Sequence, residues 1–274
     1  MAAAGRSPDC GRGAFQLTRT PKPISELLPV GYDGFVFDCL DSTNEEAKRW
    51  GENFNGVPLW IMAREQTAGR GRRGRVWVSE EGNLFASLLY PRPAEIEQAS
   101  QFGFVAALAV RDLAKTVLPD DIDVALKWPN DVLVEGKKVS GILLESASGA
   151  GVHPWIVIGI GVNLSSAPSQ TLYPATWLGD KGKFTPKPLD ALKILAETFD
   201  YWVKEWQRDG FLPIQQAWRK HGPLEGSPLV VRTNDEEFEG QFLKIDVKGA
   251  LHIVLPDGSE RRILAGDVFA LDED

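Results

Sequence analysis

Residues that announce chemistry by themselves are scarce in this 274-residue chain, which has two cysteines, three histidines and two methionines. Cys10 and Cys39 are too few for a disulfide framework and lie in no CxxC or zinc-spaced cluster, which points to a reducing compartment. His153, His221 and His252 are scattered without ligand spacing, so packing or surface roles are expected and no protein-built metal cage is indicated. No apolar run reaches the roughly 18–20 residues of a membrane helix. The Gly-, Pro- and Arg-rich first thirty residues also lack the apolar core of a secretory signal, so a cytoplasmic protein off the membrane is expected. Positive charge is not in excess either: 30 Lys and Arg face 38 Asp and Glu, a net charge of −8, so any basic patch is local and purposeful. The sequence has neither a GxxxxGK[ST] loop nor a GxSxG elbow, which excludes a P-loop nucleotide site and an α/β-hydrolase nucleophile.

What is present is an ordinary globular composition, 43% hydrophobic and 25% charged, in a chain long enough for one large domain and a small one. Residues 1–30, punctuated by Pro21, Pro23 and Pro29, read as an arm packed on the main domain. A strand at 35–37 leads into a helix through Trp50, where Ser42 and Thr43 each precede a glutamate by three residues, as in a capping box. Strands are expected at 59–63 and 83–90, then a helix over 99–117 ended by Pro119. Ile122, Val124 and Leu126 alternate with polar neighbours, so Lys127 should point away from that apolar face. Runs at 132–134, 139–145 and 155–164 predict a hairpin and meander. Leu192, Leu195, Phe199, Trp202 and Trp206 predict a long core-facing helix from Pro188 to Gly210. The last fifty residues turn to short strands around Val230, Phe242, Ile253 and Ile263, with Asp257-Gly258 as a hairpin turn, which reads as a small separate β-barrel.

The sharpest feature is Gln66 to Trp77, where Gly69, Gly71 and Gly74 interleave with Arg70, Arg72, Arg73 and Arg75. Glycines let backbone N–H groups approach a ligand, and guanidinium forks suit phosphate and carboxylate oxygens, so the loop reads as an anion clamp. Four like charges within six residues repel, so the loop should be mobile when empty and order on an anion. Plain alternatives are a solvated loop and a nucleic-acid-binding segment. The glycines also fit GxGxxG, but that fingerprint needs a helix next, and turn and strand follow here. In Lys127-Trp128-Pro129-Asn130-Asp131, a cation, an amide and a carboxylate converge at a strand end, suited to a phosphate oxygen and Mg²⁺, or forming simply a good turn. Gly159-Ile160-Gly161-Val162-Asn163 reads either as close backbone approach to a ligand or as a bulge at a strand end. Ser42-Thr43-Asn44 offers small polar groups to a compact ligand, or merely caps its helix.

In this order and spacing, these segments, together with Lys138 to Glu145, resemble the biotin protein ligases from about Phe35 to the C-terminus. The resemblance implies an α+β fold: a class II synthetase-like catalytic domain over residues 31–222, mainly antiparallel sheet with packed helices, followed by an SH3-like barrel over 223–274. It implies that the biotin carboxylate attacks the α-phosphate of ATP, with Mg²⁺, to give biotinyl-5′-AMP, and that a lysine of a carboxylase's biotin carboxyl carrier domain then displaces AMP. By the same resemblance Ser42, Thr43, Asn44 and Gln66 lie at the biotin head group, and Arg70, Gly71 and Arg72 in the closing loop. Lys127 lies at the carboxylate and α-phosphate. Arg72, Arg73, Arg75, Asn130 and Asn163 fall near the nucleotide, and Trp177 near the adenine. Some members carry an N-terminal winged helix that binds DNA; thirty residues do not build one, so no operator binding is expected, while a homodimer is compatible with the family. The rivals are a lipoate protein ligase and, in another class, a nucleic-acid-binding module using the Arg loop and the small barrel.

Overall fold

The structure, a computed structural model, describes residues 20–93, 95–147, 154–169, 171 and 173–270. Most of the expected arm, with Cys10, and also His153 lie outside these residues. Lys22–Pro23 (β1) pairs antiparallel with Asp33–Leu40 (β2), and Thr43–Gly51 (α1) follows directly. Next come Leu59–Gln66 (β3), Leu84–Pro91 (β4) and Gln101–Val117 (α2). Val124–Lys127 (β5), Asp131–Val134 (β6), Lys137–Ala147 (β7) and Trp155–Val162 (β8) form the meander. Leu178–Lys181 (α3), Pro188–Asp209 (α4) and Phe211–Arg219 (α5) close the large part of the chain.

These strands make one eight-stranded sheet, ordered β1-β2-β3-β4-β8-β7-β6-β5. Only β2 and β3 run parallel, because α1 intervenes as a crossover; every other neighbouring pair is antiparallel. The β6–β7 hairpin turns at Glu135 and Gly136, whose φ values of 47° and 74° are those of a tight two-residue turn.

One sheet face is covered by α2, α4 and α5. The α4 stripe is as its spacing predicts, with Leu192, Leu195 and Phe199 fully buried and Phe199 edge-on to Trp60 of β3 at 5.9 Å. Burying each such side chain contributes about 1.5–3 kcal/mol. Trp202 and Trp206 lie at the rim of this core, their indole N–H groups donating to Asp112 and Gln101. Two short helices escape the sequence pattern. The chain re-enters helix (α5) at once after Gly210, whose φ of 71° lets one residue end α4 and begin α5, and α3 spans four residues only.

The opposite face carries α1 and a smaller core of Phe37, Leu40, Ala47 and Trp155, leaving β4, β7 and β8 uncovered beyond the α1 N-terminus. That trough is the site described below. The last elements, Pro228–Arg232 (β9), Glu237–Ile245 (β10), Leu251–Val254 (β11), Glu260–Ile263 (β12) and Asp267–Ala270 (β13), form a separate antiparallel sheet ordered β12-β11-β10-β9-β13. The second sheet is pinned to the first where Trp128 Nε1 donates to Gly249 O at 3.0 Å. Cys39 on β2 is disulfide-bonded. Among the described residues, no helix is long and apolar enough to cross a membrane.

Candidate active site

The trough deepens into a cavity of about 400 Å³ bounded by the α1 N-terminus, the Arg loop, the β5–β6 turn, the ends of β7 and β8, and β13 of the second sheet. Ser42, Thr43, Asn44, Gln66, Arg70, Gly71, Arg72, Arg75, Lys127, Asn130 and Asn163 all line it, though they are spread over more than a hundred positions of sequence.

At its closed end stand the residues read as either ligand-binding or helix-capping, and capping is not how their side chains are used. Ser42 occupies the N-cap position without a side-chain cap, its own N–H donating to Asp41 Oδ1 at 2.8 Å. Gln66 Oε1 accepts from the Thr43 N–H at 2.8 Å and lies 3.2 Å from the Thr43 hydroxyl, while Gln66 Nε2 donates to Ser79 at 3.1 Å. Behind them Ser87 of β4, fully buried, reaches Thr43 Oγ1 at 2.7 Å and Asn44 Oδ1 at 2.5 Å. A buried cluster of hydroxyls and amides is costly unless satisfied, and here the side chains of Thr43, Asn44, Gln66 and Ser87 each have a partner.

The β8 glycines serve close approach, not a bulge, since β8 pairs in unbroken register with both β4 and β7. A Cβ at Gly159 would stand 2.1 Å from Asn44 Oδ1, and one at Gly161 2.5 Å from the Trp77 ring. Gly141 of β7 completes the slot, so the Trp77 indole lies flat on bare backbone as a cavity wall, its Nε1 buried without a hydrogen-bond partner.

At the cationic end, the Arg loop meets an anion that the chain itself supplies. Asp267 of β13 accepts from Arg75 Nη2 with both oxygens at 2.9 Å, from Arg73 at 3.2 Å and from Arg72 at 3.4 Å. Arg72 Nη1 also donates to Gly266 O at 3.0 Å and Asn130 Oδ1 at 3.3 Å, and Arg70 pairs with Glu45. Backbone bonds from Gly71 N to Arg75 O and from Trp77 N to Gly69 O close the loop, with Arg73 (φ 55°) and Gly74 (φ 70°) at its tip. Arg73 falls outside the cavity lining, against Asp267.

Lys127 turns away from Val124 and Leu126, as the alternation predicts. Its ammonium sits 4.2 Å from the Tyr173 ring centroid, with Phe269 of the second sheet 5.4 Å away, and Asp131, across the hairpin, pairs with Lys138 at 2.5 Å. Burial pushes the Lys127 pKa below the ordinary lysine value, with the Asp131 charge opposing the shift. Burial likewise lowers that of Arg72 against the pull of Asp267. Asn130 Nδ2 is held by Ile142 O at 2.6 Å, and Asn163 Nδ2 donates to Thr176 O at 3.0 Å. Trp177 is not in the cavity wall. Backbone bonds of Thr176 to Lys138 and Asn163 fix the segment, Trp177 then begins α3, and Tyr173 and Ala175 line the site. Nothing in the sequence marked Ser87, Tyr173 or Asp267, each a single residue in no motif; Lys138, Glu145 and Trp77 lay inside recognised segments without an assigned role.

Residues 36–163 match the Biotin/lipoate A/B protein ligase family, and residues 226–271 match the biotin protein ligase C-terminal domain. A biotin–[acetyl-CoA-carboxylase] ligase of Paracoccus denitrificans is 41% identical over 236 residues, 84% of this chain and 97% of that one. The biotin protein ligase of Aquifex aeolicus solved with biotin and ATP superposes with a TM-score of 0.74 at 26% identity, covering 87% of this chain and 99% of that one. That of Leishmania major solved with biotinyl-5-AMP gives 0.59 at 25% identity, covering 86% and 100%.

Proposed function

Because the chain belongs to the biotin protein ligase family, we propose that its cavity joins biotin to ATP as biotinyl-5′-AMP and passes the biotinyl group to a lysine of a biotin carboxyl carrier domain in a biotin-dependent carboxylase. The observation that carries this reading is the cavity's polarity along its length: a buried cluster of hydroxyls and amides at one end, Lys127 and the arginine loop at the other. The solved relatives carrying biotin with ATP, or biotinyl-5-AMP, support it.

In this reading Ser42, Thr43, Asn44 and Gln66 hold the bicyclic head and Trp77 walls it. The tail brings its carboxylate to Lys127. As a carboxylate oxygen attacks the α-phosphorus and the bond to pyrophosphate breaks, negative charge grows on the phosphoryl oxygens, and a cation in a partly desolvated site stabilises it. Arg72 and Arg75 leave Asp267 for the phosphates, and Arg70 and Gly71 close over the adenylate, excluding water from the mixed anhydride. The carrier amine then attacks the acyl carbon and AMP leaves with the bonding pair, so no covalent enzyme intermediate is required. Asn130, Asp131 and Asn163 are the oxygen donors on that side of the cavity that would hold a Mg²⁺ bound to the triphosphate, where it would offset phosphate charge. Among the described residues, no group of three or more His, Cys, Asp or Glu side chains is placed to hold a metal unaided.

The hydroxyl- and amide-lined floor favours a ureido ring over the dithiolane of lipoate, which has no polar group to match it. The deciding experiment incubates the protein with Mg²⁺ and α-labelled ATP, with biotin or lipoate. Labelled biotinyl-AMP that then loads a carrier domain is expected; product with lipoate alone, or with neither acid, sinks the proposal.

A further inference from the structure

Four polar side chains run in single file from the cavity floor to β7. Thr43 Oγ1 is 2.7 Å from Ser87 Oγ, which is 2.5 Å from Asn44 Oδ1, and Asn44 Nδ2 donates to Glu145 Oε2 at 2.7 Å. The other carboxylate oxygen of Glu145 takes the Lys48 ammonium at 2.6 Å.

Chemistry forces the direction of this chain. A carboxylate only accepts, so Asn44 must turn its Nδ2 to Glu145. Leu143 O, 3.5 Å away on the same side, also only accepts. Asn44 Oδ1 then faces Ser87, whose single proton must go to it. Ser87 is left to accept, and the Thr43 proton goes either to Ser87 or to Gln66 Oε1, which lies 3.2 Å away and accepts as well. Either way Thr43 presents lone pairs to the cavity, not a proton.

We propose that Glu145 is a positioning residue that sets the proton polarity of this chain and so makes the pocket floor an acceptor for ligand N–H groups. This rests on the biotin reading of the cavity: a cyclic urea offers N–H donors, and a dithiolane has none. Glu145 does not line the cavity and acts through Asn44.

Lys48 makes the polarity hinge on one atom. Glu145→Gln leaves a single oxygen for two donors. The ammonium claims it, because a charge-assisted bond is the stronger. The new amide N–H then faces Asn44 and flips it, Ser87 donates toward Thr43, and Thr43 gives up one of its lone pairs to Ser87 while its proton goes to Gln66 Oε1 or to the ligand, so the floor loses acceptor capacity toward ligand N–H groups. Removing the ammonium as well, by Lys48→Met, frees the glutamine oxygen for Asn44 and restores the original order.

Steady-state adenylate formation is measured for wild type, Glu145→Gln, Lys48→Met and the double variant. Glu145→Gln raises the biotin KM roughly tenfold, a change of about 1.4 kcal/mol, with kcat and the ATP KM unchanged. The double variant returns to within about threefold of wild type, a rescue that loss of a merely structural ion pair would not give. Both exchanged side chains are part-exposed, at 26% and 29%. Ser87→Ala is a second probe: it raises the biotin KM by itself, and Glu145→Gln then adds nothing. An unchanged biotin KM in Glu145→Gln, a double variant no better than the single, or additive losses in the Ser87→Ala background overturns the polarity argument while leaving an active wild type as a ligase. A wild type without biotin-dependent adenylation overturns the ligase reading itself, and this proposal with it.

Discussion

Asp267→Ala should unlock the arginine loop. The carboxylate is 14% exposed and takes four contacts of 2.9–3.4 Å from Arg72, Arg73 and Arg75, whose side chains are 20–37% exposed. At about 0.5 kcal/mol per contact, a value suited to partly exposed charges, the acid holds the loop by about 2 kcal/mol. The mutual repulsion of three unpaired cations adds to this, while Arg72 keeps Gly266 O and Asn130. Two kcal/mol is roughly a 30-fold larger open population. The loop arginines are themselves trypsin sites, and when reclosing is fast, cleavage tracks that population. Dilute trypsin with mass analysis of the fragments should therefore show Asp267→Ala cut between residues 70 and 75 roughly 30-fold faster than wild type. With biotin and ATP present, phosphate oxygens replace the lost carboxylate and the two rates converge. A ligand-free rate within about threefold of wild type would refute the idea that Asp267 is the loop's resident anion.

Two further outcomes test the reacting end and the wall. Lys127→Ala should lower kcat for adenylate formation by about 10²–10³-fold. Since burial depresses the Lys127 pKa, the folded chain holds fewer protons than the unfolded chain just below the ordinary lysine value. Stability therefore rises with pH across that window, and the alkaline limb of adenylation falls beneath pH 10.5. Lys127→Arg, retaining part of the activity, should remove that limb; a limb at the same pH in both proteins assigns it to another group. Gly161→Ala puts a Cβ 2.5 Å from the Trp77 ring, so the indole must leave its slot. We expect about 1–3 kcal/mol of lost stability and a biotin KM raised by at least about tenfold; thermal melting and steady-state kinetics check both, and an unchanged KM removes Trp77 from the biotin wall.

Elements with a strong internal period were legible in the sequence: α2 and α4 from their apolar stripes, and the β5 to β8 meander from alternation and its turn. α5 was lost because Gly210 reads as a stop, and nothing in local composition says that the same positive φ can start the next helix. The Ser42-Thr43-Asn44 segment, the Arg loop and Lys127 could be found because each is a run of unusual residues. Glu145 lay in the recognised Lys138–Glu145 segment, but its role could not be read, because an acid near a strand end is ordinary until α1 brings Asn44 and Lys48 to it. Asp267 owes its role to tertiary docking alone: it reaches Arg75 across 192 positions of sequence, so charge read along the loop could not reveal its partner. Trp177 was placed near the adenine by resemblance alone; it stands at the N-cap of α3, outside the cavity lining, and no local pattern in the sequence marks that turn into helix.

The contact between Arg72 and the Gly266-Asp267 pair spans about 194 positions of sequence and joins the two sheets at the rim of the cavity. The terminal sheet is therefore not an interchangeable appendage. A chimera that replaces it with the same module from a relative must bring an acid to the place of Asp267 and a carbonyl to that of Gly249, or it inherits a sound fold around an unanchored loop and an untethered Trp128. Compatibility between the two halves should be sought in those few seams, and sequence drift in the last fifty residues should surface first as altered substrate handling.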